Sequence, residues 1–221
     1  MLANSTTAGF LGIEKKFLDM AKADTAVAAA AALTGGEYDP STGCTGCLSC
    51  PAQGDSEQNR DGKRFVIDSL ILKGYVQNAG TVSAAWEPAT KVFVAVVLDT
   101  QTNGAQMNSE DCFKSLSNND LANCDPMKNL LSGNRFRILK SQVFDLTPHG
   151  AADASTNYAS NTVRREIDWY IPFKGGLQVN LNGTNTNADV ANVIDNSVHV
   201  IAFSTFTGVT IGYNARIRFQ G

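Results

Sequence analysis

The sequence predicts an all-β protein folded as an antiparallel β-sandwich, and three observations lead to this fold class. Short segments of alternating apolar and polar residues, typical of half-buried strands, recur through the second and last thirds of the chain. One segment, "KVFVAVVLDT", is apolar on both faces, which is typical of a central strand covered on both sides. Long polar loops separate these segments and a single helical candidate interrupts them, which favours a sandwich.

The first part of the chain is ambiguous on local signals. Ile13, Phe17 and Met20 lie near helical spacing, so "GIEKKFLDMAKAD" fits an amphipathic helix. The same segment also fits a strand that leads into a β-turn near Asp24. The next segment, residues 26–33, is rich in alanine and favours helix by propensity. Both interpretations stay open at this point.

A long loop is predicted over residues 35–63, "GGEYDPSTGCTGCLSCPAQGDSEQNRDGK", because Gly, Ser, Pro, Asp and Asn dominate it. Loops of this length inside a compact domain are usually functional or contact a partner. This one also holds three of the five cysteines.

Five further segments predict strands. "RFVIDSLILKGYV" changes parity, which predicts a bulge near Asp68 and Ser69. "VRREIDWYIPF" alternates throughout except at Arg165, which falls on the apolar side and therefore needs a partner or a strand edge. The others are "NRFRILKSQVFDL", "SVHVIAFSTF" and "IGYNARIRF". The helical candidate, residues 108–131, predicts one or two short helices, separated around Asn118–Asn119 and broken again by Pro126.

Composition limits the partners that we expect. The chain has 18 Lys and Arg against 21 Asp and Glu, a formal charge of −3, which argues against a stand-alone nucleic-acid binder. Charged residues make up 18% of the chain, below the typical share of about 25%. With many Asn, Thr, Ser and Gly residues, this fits a surface covered by copies of the same chain. The longest small-apolar stretch, residues 26–33, is too short to span a bilayer, so no membrane partner is expected.

Catalytic patterns are sparse. The chain has two histidines: His199 lies within a predicted strand, where a packed or hydrogen-bonded core residue is the simpler interpretation, and His149 follows a proline in a loop. No G-x-S-x-G segment or phosphate-binding glycine loop is present. We therefore expect neither an enzyme nor a cofactor.

The cysteine spacing resembles a metal-ligand run only in part. Cys44, Cys47 and Cys50 match the first three positions of a ferredoxin-type run, but Pro51 follows at once and no fourth cysteine comes. A closed zinc site would need a distant fourth ligand. The candidates for that ligand are Cys112, Cys124, His149 and His199. We favour loop thiols, reduced or partly disulfide-linked, over a metal site.

A second match concerns calcium. Residues 99–110, "DTQTNGAQMNSE", place oxygen ligands and a glycine at EF-hand spacing. An apolar strand precedes them where an EF-hand has a helix, so the context is wrong. A turn at the end of a strand, with Asn103 and Gly104 at positive φ, explains these residues better.

Several segments together resemble the capsid proteins of small circular Rep-encoding single-stranded DNA viruses, the circovirus-like CRESS-DNA group. They are "EKKFLD", "AQGD…NRDGKRFVIDSLILKGYV", "VFVAVVLDTQTNGA" and "RFRILKSQVFDL". The stretch N-R-x-G-[KR] at Asn59–Lys63 enters a long strand, and V-x-L-D-x-Q-x-N-G closes another at Gly104. The resemblance runs from about Glu14 to the end of the chain.

The resemblance implies a single eight-stranded antiparallel jelly roll with sheets BIDG and CHEF and a short helical insertion in the E–F loop. Residues 1–11 would be a short uncharged N-terminal arm, and residues 12–221 one capsid domain. The strands would be B 12–20, C 24–33, D 63–77, E 90–100, F 134–146, G 163–173, H 197–206 and I 211–220.

The same resemblance implies a coat protein that assembles with itself into a T=1 icosahedral shell of sixty copies around a circular single-stranded DNA genome. Such a protein is part of the virion. It would be assembled inside the host cell, with the nucleus as one candidate compartment. It would bind a host receptor that the sequence does not identify.

The chain departs from that family in one respect. The family usually begins with an arginine-rich arm, whereas the first ten residues here carry no charged side chain. Contact with viral single-stranded DNA would then fall to other basic residues. The candidates are Lys15, Lys16, Arg60, Lys63, Arg64, Arg216 and Arg218.

The jelly roll also gives the cysteines a second interpretation. Its C–D and E–F loops leave the sandwich at the same end, with Cys44, Cys47 and Cys50 on the first loop and Cys112 and Cys124 on the second. We therefore expect a disulfide or metal staple between the two loops.

Two other functions remain as alternatives. One is a jelly-roll carbohydrate-binding, lectin-like module that uses Trp86 and Tyr158 as sugar platforms. The other is a metal-binding protein built on the cysteine cluster.

Overall fold

The computed structural model describes residues 15–27, 47–78, 90–107, 109–114, 126–146, 163–182, 189–205 and 209–221. Several predictions fall outside these ranges. They concern the arm at 1–11, the greater part of the strand at 24–33, and the residues Cys44, Trp86, Cys124, His149 and Tyr158.

Ten strands and two short helices make up the described part of the chain. They are β1 Lys15–Val27, β2 Arg64–Asn78, β3 Lys91–Asp99, α1 Ser109–Cys112, β4 Phe113–Lys114, β5 Met127–Lys128, β6 Phe136–Asp145, β7 Arg164–Leu181, a 3-10 helix Val190–Asn192, β8 Val193–Asp195, β9 Ser197–Ser204 and β10 Val209–Gln220.

The strands form two main antiparallel sheets that face each other. One has the order β1-β10-β2-β7-β8 and the other the order β6-β3-β9, while β4 and β5 form a small separate ladder. Side chains from both main sheets fill one core between them, with Leu70 and Leu72 from β2, Ile217 from β10 and Val94 and Val200 from the opposite sheet. The predicted all-β sandwich is confirmed. Its order B-I-D-G with H-E-F is that of a jelly roll.

The first strand is longer than predicted. β1 runs through to Val27 and stays paired with β10, with Val27 opposite Val209. The turn predicted near Asp24 is therefore wrong, and so is a strand C that begins there. Where the turn was predicted, the pairing of β1 with β10 shows a register shift, between Lys22 and Thr25. Ala26 and Val27, the first two residues of the alanine-rich segment, lie in the sheet because pairing with β10 outweighs the helix propensity of alanine.

The predicted bulge in the second strand is confirmed. The register of β2 against β7 shifts between Ile67 and Ser69, and β10 shifts against β2 at the same level. On β7 the extra residues include Gly175 and Gly176, with φ of 82° and 80°. This bulge lets β7 continue to Leu181, beyond the end predicted at residue 173.

Strand β3 is covered on both faces, as its sequence predicted. Alternate residues point into the core between the sheets, and Phe93, Ala95 and Val97 point outward into a second cluster. Met107 and Phe113, from the segment that follows β3, cover that outer face. We call this second cluster, with its members Phe93, Ala95, Val97, Met107, Cys112, Phe113, Phe136, Ile201 and Phe203, the outer core.

One short helix is present in the insertion between β3 and β6, at Ser109–Cys112, whereas residues 115–125 of the predicted helical segment lie outside the described residues. The helix ends where Phe113 pairs with Lys128 in the β4–β5 ladder. The physical reason is the Phe113 ring, which packs edge-on against Phe93 with ring centroids 5.2 Å apart. Burying this ring on the sheet fixes the backbone there in an extended form.

The turn after β3 matches its prediction. Asn103 and Gly104 have φ of 52° and 69°. At Gly104 a Cβ atom would lie 2.8 Å from the carbonyl oxygen of Ala191, so glycine is required for space as well as for conformation.

Arg165, the residue that breaks the alternation of β7, is exposed. Its Nε donates to the carbonyl oxygen of Asp145 at 3.3 Å, so Arg165 has the hydrogen-bond partner that the sequence predicted for it.

Candidate functional site

Four of the predicted nucleic-acid contacts lie at one end of the five-stranded sheet. Lys15 begins β1, Lys63 and Arg64 lie at the start of β2, and Arg218 is near the end of β10. The antiparallel register brings these ends together, since Lys15 is opposite Gln220 and Gln220 is opposite Val66. All four side chains are exposed. We call this group, Lys15, Lys63, Arg64 and Arg218, the basic end.

Arg218 faces away from the sandwich core. Its neighbours Ile217 and Phe219 are buried in that core, so alternation along β10 turns the guanidinium to the outer face. An exposed cation on a rigid strand can contact a phosphate without first losing a protein partner. The basic end is therefore the part of the predicted interface whose geometry suits it best.

Two other predicted contacts do not fit this role. The Lys16 side chain is only 2% exposed, and its Nζ lies 2.5 Å from Oδ1 of Asp61. Arg60 is fully buried, where its Nε donates to the carbonyl oxygen of Pro51 at 3.2 Å and its Nη1 to that of Gly62. Lys16 links β1 to the loop before β2, and Arg60 bonds within that loop. Because both side chains are buried, they cannot bind a phosphate from outside.

Arg216 reaches the surface but is paired. Its Nε and Nη2 donate to the two carboxylate oxygens of Asp19 at 2.6 and 2.5 Å. This bidentate contact raises the pKa of Arg216 and lowers the pKa of Asp19, mainly through the hydrogen bonds. The positive charge of Arg216 is therefore already neutralised by Asp19 of the same subunit.

The cysteines of the described residues are of two kinds. Cys47 and Cys112 are buried thiols, and burial raises their pKa to about 11 and about 12. At neutral pH both stay protonated and both are buried, so neither is a nucleophile that a substrate can reach. Cys50 is disulfide-bonded, with its partner outside the described residues. Within the described ranges no group of three or more His, Cys, Asp or Glu side chains could hold a metal ion.

Cys47 and Cys112 lie in different parts of the sandwich. Cys47 belongs to the core between the sheets, and its backbone bridges to His199 on β9. Cys112 belongs to the outer core, on the other side of β3. Two hydrogen bonds lie beside the bridge between Cys47 and His199. Leu48 N donates to Val198 O at 2.7 Å, and Val198 N donates to the Ser49 hydroxyl at 2.8 Å. The cysteine loop is thus anchored along the edge of β9.

A buried polar chain crosses the end of β3 and β9. His199 Nε2 lies 2.7 Å from the Ser197 hydroxyl, which lies 2.6 Å from the Thr102 hydroxyl. At the same end, Asp99 accepts from Arg135 Nε at 2.8 Å and from Nη2 at 2.7 Å. The core role predicted for His199 is confirmed. No substrate can reach Ser197 or His199, because both are buried, so this pair is not a nucleophile and its base.

The sequence did not reveal this polar chain. Thr102 and Ser197 are 95 residues apart, and Arg135 is 36 residues from Asp99. The one signal was Asp99 at the end of an apolar strand, which matched calcium spacing by chance. Its carboxylate is buried and accepts hydrogen bonds from Arg135 and from the Gln101 amide, so it is not available to an ion.

Comparison with known proteins gives little guidance. No family model matches the chain, and no curated protein matches it. Among solved structures it is similar to the capsid protein of beak and feather disease virus in the crystal structure of its 60-mer, at 12% sequence identity and a TM-score of 0.30. That match covers 94% of this chain and 93% of the other. Likeness at this TM-score supports no functional conclusion.

Within the described residues, no helix is long and apolar enough to cross a membrane.

The buried histidine makes the stability of the fold depend on pH. Burial lowers the pKa of His199 from 6.5 to about 4, so the unfolded chain binds a proton that the folded chain does not between these values. The free energy of unfolding should therefore fall by about 2–3 kcal/mol between pH 7.5 and pH 4.5 on account of this residue. Urea denaturation at both pH values measures it.

The matched control is His199→Gln, which keeps a hydrogen-bonding side chain and cannot titrate. Its unfolding free energy should fall less than that of the wild type over the same pH interval. Equal pH dependence in the two proteins would contradict the assignment of this effect to His199.

Proposed function

We propose that this chain is a viral capsid protein that assembles with itself into a small icosahedral shell, T=1 with sixty copies, around a circular single-stranded DNA genome. The observation that carries the proposal is the strand order, β1-β10-β2-β7 facing β9-β3-β6. These strands correspond to B-I-D-G and H-E-F of the B-I-D-G and C-H-E-F sheets that the resemblance of the sequence to capsid proteins implies, while most of the segment predicted as strand C lies outside the described residues. Local propensity alone does not predict this strand order, because the sequence of the first strand fits a helix as well as a strand.

Other features support a structural role over a catalytic one. The exposed surface carries several large apolar side chains, with Leu130 and Leu131 the most exposed of them. The Ser197–His199 pair and the two thiols, Cys47 and Cys112, are buried. Reactive chemistry needs groups that a substrate can reach, whereas self-assembly needs apolar groups at the surface.

Assembly is the first outcome to test. Sedimentation velocity of the purified protein at neutral pH should give one dominant fast species with the mass of about sixty chains, as a T=1 shell of sixty copies implies. A protein that remains a monomer or a small oligomer over a range of salt and protein concentrations would contradict the proposal, and would favour the lectin-like alternative.

We infer that the genome is contacted at the basic end. Its four cations are exposed and stand together, unlike the buried Lys16 and Arg60 and the paired Arg216. Replacing all four by Gln removes four positive charges. Because log K falls with log salt by about 0.7 per phosphate contact on single strands, the slope should become shallower by up to about 3. Fluorescence anisotropy with a labelled oligonucleotide measures it.

The control variant for this experiment is Arg137→Gln with Lys140→Gln. Both residues are exposed on β6, in the other sheet, so this variant loses charge at a different surface. Because the control loses two charges and the test variant four, an equal change in slope per removed charge would show a general charge effect and would overturn the assignment to the basic end.

The disulfide of Cys50 is our candidate for the staple between the two long loops. Cys47 and Cys112 are thiols, which leaves Cys44 and Cys124 as the possible partners among the five cysteines. We propose Cys124, which would join the loop before β2 to the insertion before β6. Non-reducing peptide mapping by mass spectrometry should find a Cys50–Cys124 peptide pair. A Cys44–Cys50 pair would contradict a staple between loops.

A further inference from the structure

Two adjacent leucines stand out from the surface. Leu130 and Leu131 are 86% and 90% exposed, in the turn that leads from β5 to β6. Single apolar residues on a surface need no explanation, but two neighbouring leucines expose a continuous apolar patch. We call them the leucine pair.

The turn that carries the leucine pair is held in place by several hydrogen bonds. Asn129 N donates to Cys112 O at 2.8 Å, which ties the turn to the outer core. Leu131 N donates to Asn129 Oδ1 at 3.1 Å, and Lys128 Nζ donates to Gly133 O at 3.1 Å. A turn fixed in this way presents its apolar side chains with little loss of freedom on binding, which favours a docking role.

A groove of ≈ 480 Å³ lies on the outer face of the five-stranded sheet, where β1, β10 and β2 run side by side. Its lining includes Asp19, Ala21, Ile71, Lys73, Asn214 and Arg216. Ala21 and Ile71 supply apolar surface, and Tyr170, 64% exposed, lies opposite Ile71 in register on the next strand.

The charges around this groove are paired. Arg216 binds Asp19 through two hydrogen bonds, and Lys73 Nζ lies 3.0 Å from Oδ2 of Asp168. Each cation on this rim thus has an anion beside it. A phosphate or a free carboxylate gains little from such a rim, whereas an uncharged apolar side chain meets apolar surface between the pairs. The groove therefore suits an aliphatic ligand.

The leucine pair and the groove cannot meet within one chain. The leucine pair is tied to the outer core, on the outer side of the three-stranded sheet, whereas the groove lies on the outer side of the five-stranded sheet. The core of the sandwich lies between them. The two surfaces can therefore come together only between different copies, in a head-to-tail contact of the kind that closes into rings.

We propose that Leu130 and Leu131 of one copy insert into the groove lined by Ala21 and Ile71 of the next copy. The inference rests on the proposed function, because it names one contact by which the shell subunits join. The partner is a second copy of this chain, and the contact is heterologous, with a different surface from each copy.

The first test removes the apolar side of the contact. In the double variant Leu130→Asp with Leu131→Asp, sedimentation velocity should show at least a tenfold smaller assembled fraction than in the wild type. Its far-UV circular dichroism should be unchanged, because both side chains are exposed. The control Asn134→Asp adds charge to the same turn at another exposed residue, and it should assemble as the wild type does.

The second test fills the groove. Ala21→Trp places a bulky ring on the proposed floor and should reduce assembly to a similar extent. Ala26→Trp makes the same change at an exposed residue of the same strand outside the groove lining, and it should leave assembly intact. Equal loss in both Trp variants, or in neither, would overturn the groove assignment.

A cross-linking experiment identifies the contact directly. Leu131→Cys labelled with a benzophenone maleimide should, after illumination of assembled particles, form adducts with another copy on the peptides that contain Ala21, Ile71 or Arg216. Adducts elsewhere would overturn the inference. If the wild type does not assemble, the proposed function fails, whereas if wild type and Leu130/Leu131 variant assemble equally, only this inference fails.

Discussion

The double-sided burial of β3 is the constraint on which the rest of the structure depends. Its sequence is apolar on both faces, and one sheet of a sandwich can cover only one of them. The opposite sheet covers the inner face. The outer face presents Phe93, Ala95 and Val97, and it has to be covered by other parts of the same chain. Leaving it in water would expose a large aromatic patch, with Phe93 and Phe203 stacked 4.8 Å apart.

The insertion between β3 and β6 meets this requirement, and in doing so it shapes the surface. It folds back so that Phe113 lies on Phe93, and the β4–β5 ladder keeps it there. The chain must then return to the sheet edge, and the turn that returns it carries Leu130 and Leu131 outward. One element thus covers an apolar face inside the subunit and exposes two leucines outside it, which links core packing to the surface that we propose for assembly.

Much of this architecture follows from the sequence, because alternation and double-sided burial are local patterns. The strands β2, β3, β6, β9 and β10, the bulge near Asp68 and the turn at Asn103–Gly104 depend on neighbours in sequence, and the structure agrees with them. The length of β1 does not follow, since its pairing with β10 is set almost two hundred residues away. The end of the short helix at Cys112 does not follow either, since it is set by the Phe113 ring packed on Phe93 of β3.

The candidate site was less predictable than the fold. Seven basic residues looked equivalent in sequence, yet Lys16 and Arg60 are buried because Asp61 and two backbone carbonyls accept from them. Whether a cation faces water or stabilises a loop depends on partners that only the folded chain brings near. The polar chain from Thr102 to His199 joins segments that are equally far apart in sequence.

Electron cryomicroscopy of the purified protein would show whether the chain forms the proposed shell. We expect closed shells with sixty copies, in which the turn with Leu130 and Leu131 of each subunit touches the five-stranded sheet of a neighbour. Isolated subunits, or an open lattice without closed shells, would contradict it.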